Sequence, residues 1–260
     1  NPWYNRFPNK GRNILKTRKM NVQEVTYTVL DTDLLYHIRK FIERVAPTMS
    51  DAFLTTLKLN LETLTVKKSY RYMFLHNILE QHQFMMNYNE KKNEILYHPN
   101  YIYLIYQELF HVATTKYNKN MIYQGLSEGT KKNKYRGRGF DTGYTLYLTE
   151  RYFCDENKGE FFGTHRFTKN IMSQLCDLIG HDQVLYCYMN TNLNHFQRYL
   201  VNYASDTEVE LFTNIMDELK DAEDKNDFVK MGSLNQQALE YVNKFERMKE
   251  KNQIRLIAKK

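Results

Sequence analysis

Hydrophobic residues recur every three or four positions along most of the chain, a spacing typical of amphipathic helices. Residues 34–45 show it first, after the capping segment Asp31-Thr32-Asp33, and Pro47 ends the predicted helix. A second helix is predicted to begin at Ser50-Asp51 and to run to about Leu59.

Alternating β-branched and aromatic residues predict four short strands, at residues 24–30, 61–66, 84–88 and 94–97. The polar run 89–93 separates the last two strands and suits a hairpin. A helix over residues 101–116 then follows Pro99 and Asn100. Its predicted core face consists of the aliphatic positions Ile102, Ile105, Leu109 and Val112.

Residues 117–140 contain four of the ten glycines and predict a loop. Further helices are predicted over 141–153, 167–179, 183–189 and 193–204, and Gly180 marks one helix end. Two amphipathic helices, 208–221 and 227–251, close the chain as a helical hairpin. The apolar stripes of this hairpin are Leu211, Ile215 and Leu219, and Met231, Leu234, Ala238, Tyr241 and Phe245.

Strands in the first half and helices in the second predict an α+β fold. Composition and patterning divide the chain into an irregular basic arm (1–22), a central domain (23–205) and the C-terminal hairpin (206–260). No apolar run is long enough to span a bilayer, and no signal-peptide pattern is visible, so we expect a cytoplasmic protein. Cys154, Cys176 and Cys187 lack metal-site spacing and predict reduced thiols.

The net charge of +7 is concentrated in the arm, because residues 1–23 carry six basic side chains and no acid. A second basic run follows in the predicted loop and consists of Lys131, Lys132, Lys134, Arg136 and Arg138. Such basic runs can bind nucleic acid or anionic lipid, but no nucleic-acid-binding motif accompanies them. We therefore favour a solvated tail and a solvated loop, and keep a nucleic-acid-binding protein as an alternative.

The chemistry of the predicted helix at 101–116 centres on Gln107-Glu108-Leu109-Phe110-His111. A zinc-protease helix carries His-Glu-x-x-His, in which two histidines one turn apart bind Zn²⁺ and the glutamate activates water. Here Glu108 and His111 stand at two of these positions, and Gln107 replaces the first histidine.

A second segment, residues 139–153, reads Gly-Phe-Asp-Thr-Gly-Tyr-Thr-Leu-Tyr-Leu-Thr-Glu-Arg-Tyr-Phe. It resembles the second motif of zincin-like, gluzincin-type metallopeptidase domains of low-GC Gram-positive bacteria, which reads Gly-Leu-Asn-Glu-Gly-x-Thr-x-x-Leu-Thr-x-Arg-Tyr-Phe. The resemblance extends from about Leu61 to Gly180. It implies a zincin-like fold, in which a small mixed sheet precedes the active-site-type helix and a mainly helical half.

The resemblance also implies that the third zinc ligand, a glutamate in the family, falls on Thr142. Two of three ligand positions, Gln107 and Thr142, are therefore changed; His111 is retained, and Glu108 becomes a vestigial base. Catalytic zinc sites use three protein ligands, so no cofactor is expected. We expect a pseudoprotease that binds a protein or peptide in the zincin cleft, with an oligomeric state that the sequence leaves open.

An active zinc metallopeptidase is the alternative, with Glu108 as its base and zinc bound by His111 and other ligands. Glu128, in Gly-Leu-Ser-Glu-Gly, could supply the carboxylate in place of Thr142. Gln107 would also need a substitute, for which the candidates are Asp141, His76, His82, His98 and His165. Two independent replacements are needed, which makes this alternative the weaker one.

Overall fold

The computed structural model describes residues 32–68, 86–97, 102, 104–130, 135–155 and 165–257. Several predicted features lie outside these residues: the basic arm, the strand at 24–30, Lys131, Lys132, Lys134, His76, His82 and His98. The chain divides into two compact units, Asn1–Ala113 and Thr114–Lys260. This division does not coincide with the predicted boundaries at residues 22 and 205, and the C-terminal hairpin belongs to the second unit.

In the residues that the structure describes, the first unit contains three α-helices and one small sheet. In chain order its elements are α1 (Thr32–Val45), a 3-10 turn (Ala46–Thr48), α2 (Asp51–Thr63), β1 (Thr65–Lys68), β2 (Met86–Asn89), β3 (Glu94–Tyr97) and α3 (Ile105–Thr114). Ser50 caps α2 by accepting a hydrogen bond from the Phe53 amide. The strand predicted over 61–66 is wrong for its first four residues. Leu57 and Leu61 continue the buried face of α2 to Thr63, and Leu64 is its C-cap, so β1 begins only at Thr65.

The sheet of the first unit is mixed, with strand order β1-β3-β2. β1 runs parallel to β3, and β2 runs antiparallel to β3 with Met86 opposite Tyr97 and Asn89 opposite Glu94. The predicted hairpin is therefore confirmed. Met86 and Tyr88 are buried and Asn87 is exposed, which is the alternation expected of a half-buried strand.

The second unit begins with an antiparallel meander that corrects the loop prediction for residues 117–140. Its strands are β4 (Lys116–Asn118), β5 (Met121–Gln124) and β6 (Ser127–Thr130), in the order β4-β5-β6. The turns between them are tight, with positive φ at Lys119 and Gly125. Strands of three or four residues carry too few side chains to show a periodic pattern, which explains the missed prediction.

Six helices follow in the described part of the second unit: α4 (Arg138–Phe153), α5 (Arg166–Ile179), α6 (His181–Met189), α7 (Leu193–Val201), α8 (Asp206–Asp224) and α9 (Phe228–Ile257). All six were predicted, and α5 ends at Gly180 as expected. The described chain is thus mixed α and β and mostly helical. No helix in this described part is both long and apolar enough to cross a membrane.

The predicted stripe on α8 needs one correction. Leu211 is half exposed, and the buried face carries Phe212, Met216 and Leu219. Phe212 packs edge-on against Phe245 of α9, with ring centroids 5.4 Å apart. Aromatic burial therefore sets the rotation of α8, and the hairpin forms as predicted.

Candidate functional site

Helix α3 is buried at every position except Gln107 and His111, which are each partly exposed. Residues four apart lie on the same helical face, one turn from each other. The sequence prediction that these two side chains share a face apart from the core is confirmed. α3 therefore presents an amide and an imidazole on a helix whose other residues are buried.

Contacts from two other helices of the first unit hold α3 in place. The ring of Phe41 in α1 packs edge-on against Phe110, with centroids 4.8 Å apart. His37 Nδ1 lies 2.7 Å from the Tyr106 hydroxyl oxygen, and Asn60 Nδ2 in α2 donates to the Val112 carbonyl at 2.6 Å. The bond from Asn60 satisfies the Val112 carbonyl in the last turn of α3, where carbonyl groups have no amide partner within the helix.

Glu108 is buried, with 8% of its surface exposed, and its carboxylate accepts a hydrogen bond from the Tyr88 amide at 2.8 Å. Among the strands that the structure describes, β2 pairs with one neighbour, β3. Since peptide groups of an edge strand alternate between the two sides, the Tyr88 N–H is directed away from β3. Glu108 therefore connects α3 to the outer edge of β2.

The environment of Glu108 favours its protonated form. Burial raises the pKa of this carboxyl above its ordinary value, and the neighbouring Glu90 carboxylate adds to the rise. His111 and the hydrogen bond from Tyr88 act in the opposite direction and offset the pKa increase in part. A carboxylate in this position is a buried hydrogen-bond acceptor, whereas a general base in hydrolysis must reach a water molecule.

The second motif lies on α4, where Thr142 and Asp141 are both buried. Asp141 Oδ1 accepts a hydrogen bond from the Leu126 amide at 3.1 Å and so fixes the β5–β6 turn. Gly125 in that turn has φ of +50°, and a Cβ there would lie 1.9 Å from Asp141 Oδ1. Asp141 thus has a structural contact within its own unit.

The two glycines of the second motif are contact points between helices. A Cβ on Gly139 would lie 2.1 Å from the Met216 carbonyl oxygen of α8. A Cβ on Gly143 would lie 2.5 Å from the Thr168 carbonyl oxygen of α5. Glycine at these positions lets three helix backbones approach closely, which gives the motif a packing role.

Glu128, the alternative ligand, lies in strand β6 and not in a loop. Its backbone exchanges two hydrogen bonds with Arg136, at 3.0 and 2.8 Å. Its carboxylate also lies 3.4 Å from the Arg136 guanidinium. Coordination of a metal would therefore compete with an ion pair already present.

The two described members of the basic run are paired with acids. Arg136 contacts Glu210 of α8 as well as Glu128, and Arg138 contacts Asp221 at 2.8 Å. Their charges are largely compensated within the second unit. The other three members of the run lie outside the described residues.

The predicted site residues divide between the two units. Gln107, Glu108 and His111 belong to the first, and Glu128 and Thr142 belong to the second. Within the described residues, no group of three or more His, Cys, Asp or Glu side chains is placed to hold a metal ion. His165, one of the alternative ligands, contacts Glu223 and Asp224 of α8.

No protein-family model, curated protein or solved structure matches this chain. The site therefore has to be interpreted from its own residues. Sequence reasoning missed Tyr88 as the partner of Glu108, because the donor is a backbone amide that any residue would supply. The one available signal was the buried strand pattern that places Tyr88 in a sheet.

Proposed function

We propose that the chain is a zincin-like domain that has lost zinc-dependent peptide hydrolysis and acts as a protein- or peptide-binding module. The observation that carries this proposal is the buried hydrogen bond between Glu108 and the Tyr88 amide. The one acidic group at the family's catalytic position is used to join a helix to a strand.

The ligand chemistry supports the same proposal. Gln107 offers a neutral amide oxygen and Thr142 a neutral hydroxyl where the family has imidazole and carboxylate. His111 alone supplies one of three protein ligands that a catalytic zinc site uses. Without bound zinc, the pKa of water stays far above neutral, so no hydroxide nucleophile forms near neutral pH.

The face formed by Gln107 and His111 is the part of α3 that we assign to partner binding. An amide and an imidazole supply both donors and acceptors, which suits the backbone of an extended peptide. Pairing of a peptide strand at Tyr88 would first have to displace Glu108 from its amide. The proposed contact is therefore made through side chains of α3 and not by strand addition at that residue.

Zinc analysis of protein purified without added metal tests the loss of hydrolysis. We expect far less than one zinc per chain and no cleavage of a mixed peptide library, with or without added Zn²⁺. Gln107→His, which places two histidines one turn apart on α3, should bind more zinc than the natural chain, whereas the control Gln107→Asn should not. Stoichiometric zinc in the natural chain, together with cleavage that Glu108→Gln abolishes, would establish the active peptidase instead.

Partner binding has a separate test on the same face. Extended peptides from an unbiased display library should be retained by the natural chain and lost from Gln107→Ala with His111→Ala. The control exchanges two exposed residues elsewhere on the first unit, Tyr36→Ala and Leu59→Ala. Equal retention by both double variants would exclude the α3 face as the binding site.

A further inference from the structure

His165 lies at the start of α5 with its imidazole between two carboxylates of α8. Its Nδ1 lies 3.5 Å from Glu223 Oε2, and its Nε2 lies 3.2 Å from Asp224 Oδ1. The group is enclosed, since 12% of the His165 side chain and 2% of the Glu223 side chain are exposed. A neutral imidazole carries one N–H, so only the doubly protonated ring can donate toward both acids.

We propose that the protonated His165 side chain joins the first turn of α5 to the end of α8 in a pH-dependent contact with Glu223 and Asp224. We call this contact the clasp. When protonated, it balances the charge of Glu223 and Asp224 together with Lys220, which lies 2.6 Å from Asp224. When it loses the proton, two enclosed carboxylates share a single cation. The clasp then weakens, because enclosed charges are costly unless they are paired.

Other contacts show what the clasp holds in place. Glu223 also accepts hydrogen bonds from the Phe167 amide at 2.7 Å and the Thr168 hydroxyl at 2.9 Å. The first of these bonds satisfies a backbone amide at the start of α5, which has no side-chain cap of its own. The side chain of Phe167 packs on the buried apolar cluster of Leu219, Ala222, Met231 and Leu234. Proton loss at His165 therefore weakens the contacts at the start of α5, where the Phe167 side chain covers part of this cluster.

Several other charged groups on the packed elements have partners that do not involve His165. Lys169 of α5 pairs with Glu150 of α4, and Lys230 of α9 pairs with Glu218 of α8. Arg166 lies over the Phe167 ring, 5.1 Å from its centroid. Lys220, Glu223 and Asp224 are thus the charged groups of α8 that set the behaviour of the clasp.

The direction of the pH effect follows from these contacts. Burial opposes the charge on His165, but Asp224 and Glu223 outweigh it, so the pKa of the imidazole is raised above its ordinary value. Stability contributed by a group of raised pKa is present below the ordinary value and is lost as the pH rises through the raised value. One proton changes the unfolding equilibrium by up to about tenfold per pH unit.

Histidine NMR of the whole chain provides the direct test. The His165 ring should titrate above the ordinary histidine value of about 6.5, and Asp224→Asn should move its midpoint down. The other histidine curves should stay unchanged in that variant. A midpoint at or below the ordinary value, or one that Asp224→Asn leaves in place, overturns the proposal.

Unfolding midpoints of the natural chain and His165→Asn, measured at pH 5.5 and 8.5, give a second test. Asparagine tolerates the left-handed backbone of His165, whose φ is +57°, but it does not titrate. The natural chain should lose more stability than the variant over this interval. Equal losses would overturn the proposal, and if the variant does not fold, the NMR comparison with Asp224→Asn decides.

Discussion

Replacement of Glu108 by alanine removes the acceptor for the Tyr88 amide and leaves a buried N–H without that partner. An unsatisfied buried donor costs about 1–3 kcal/mol. Glu108→Gln keeps an oxygen near the same place and removes a charge that burial disfavours. We therefore expect Glu108→Ala to lower the free energy of unfolding by about 1–3 kcal/mol and Glu108→Gln to change it by less than about 1 kcal/mol.

The pH dependence of this pair of variants can be worked out from the raised pKa of Glu108. The folded chain binds this proton more tightly than the unfolded chain, so Glu108 lowers stability as the pH rises through the interval between the two pKa values. Glutamine has no such proton. The stability of Glu108→Gln relative to the natural chain should therefore increase from acid toward neutral pH.

Urea unfolding of the three proteins at two pH values measures these differences, and hydrogen exchange at the Tyr88 amide locates them. Exchange should accelerate in Glu108→Ala and change little in Glu108→Gln. If the Glu108 side chain faced solvent, both variants would have a free energy of unfolding within about 0.5 kcal/mol of the natural chain. That result, with unchanged exchange at Tyr88, would refute the structural role of Glu108.

Three further predictions concern the second unit. Gly139→Ala should destabilise the chain by about 1–3 kcal/mol, because the added Cβ meets the Met216 carbonyl oxygen. As a control, a Cβ added at Gly232 would have no atom within 4 Å, so Gly232→Ala should stabilise the chain by about 0.5–1 kcal/mol in the same urea assay. Asp217→Ala should cost about 1–3 kcal/mol, because two backbone amides at the start of α4 lose their acceptor, while Asp217→Asn should cost less in thermal unfolding. A thiol reagent should modify Cys154 of the folded chain rapidly and the two buried cysteines slowly, since burial raises the pKa of each buried thiol to about 12. Equally rapid reaction of all three thiols would contradict this.

The helices were predictable because their signals are local. Apolar residues at helical spacing mark α5, and Gly180 ends it at the predicted residue. The strands β4 to β6 were not predictable in the same way. Their β5–β6 turn is fixed by the Asp141 carboxylate, which lies 15 residues further along the chain and on a different element.

The candidate site was predictable only to the extent that it follows helical geometry. Spacing alone places Gln107 and His111 on one face of α3. It does not show that Glu108 turns to the strand edge, because the Tyr88 amide carries no sequence signature. For the same reason, the α8 acids that pair with these arginines were missed: Glu210, which contacts Arg136, and Asp221, which contacts Arg138, lie far along the chain.

Helix α8 supplies acceptors to the first turns of two other helices. Asp217 receives the Gly137 and Gly139 amides of α4, and Glu223 receives the Phe167 amide of α5. These acceptors lie up to 80 residues after the amides that they bind. During synthesis, therefore, the starts of α4 and α5 leave the ribosome well before their acceptors. The second unit can supply both helix starts with their acceptors only after Glu223 has been made, about three quarters of the way along the unit, which delays the completion of its fold.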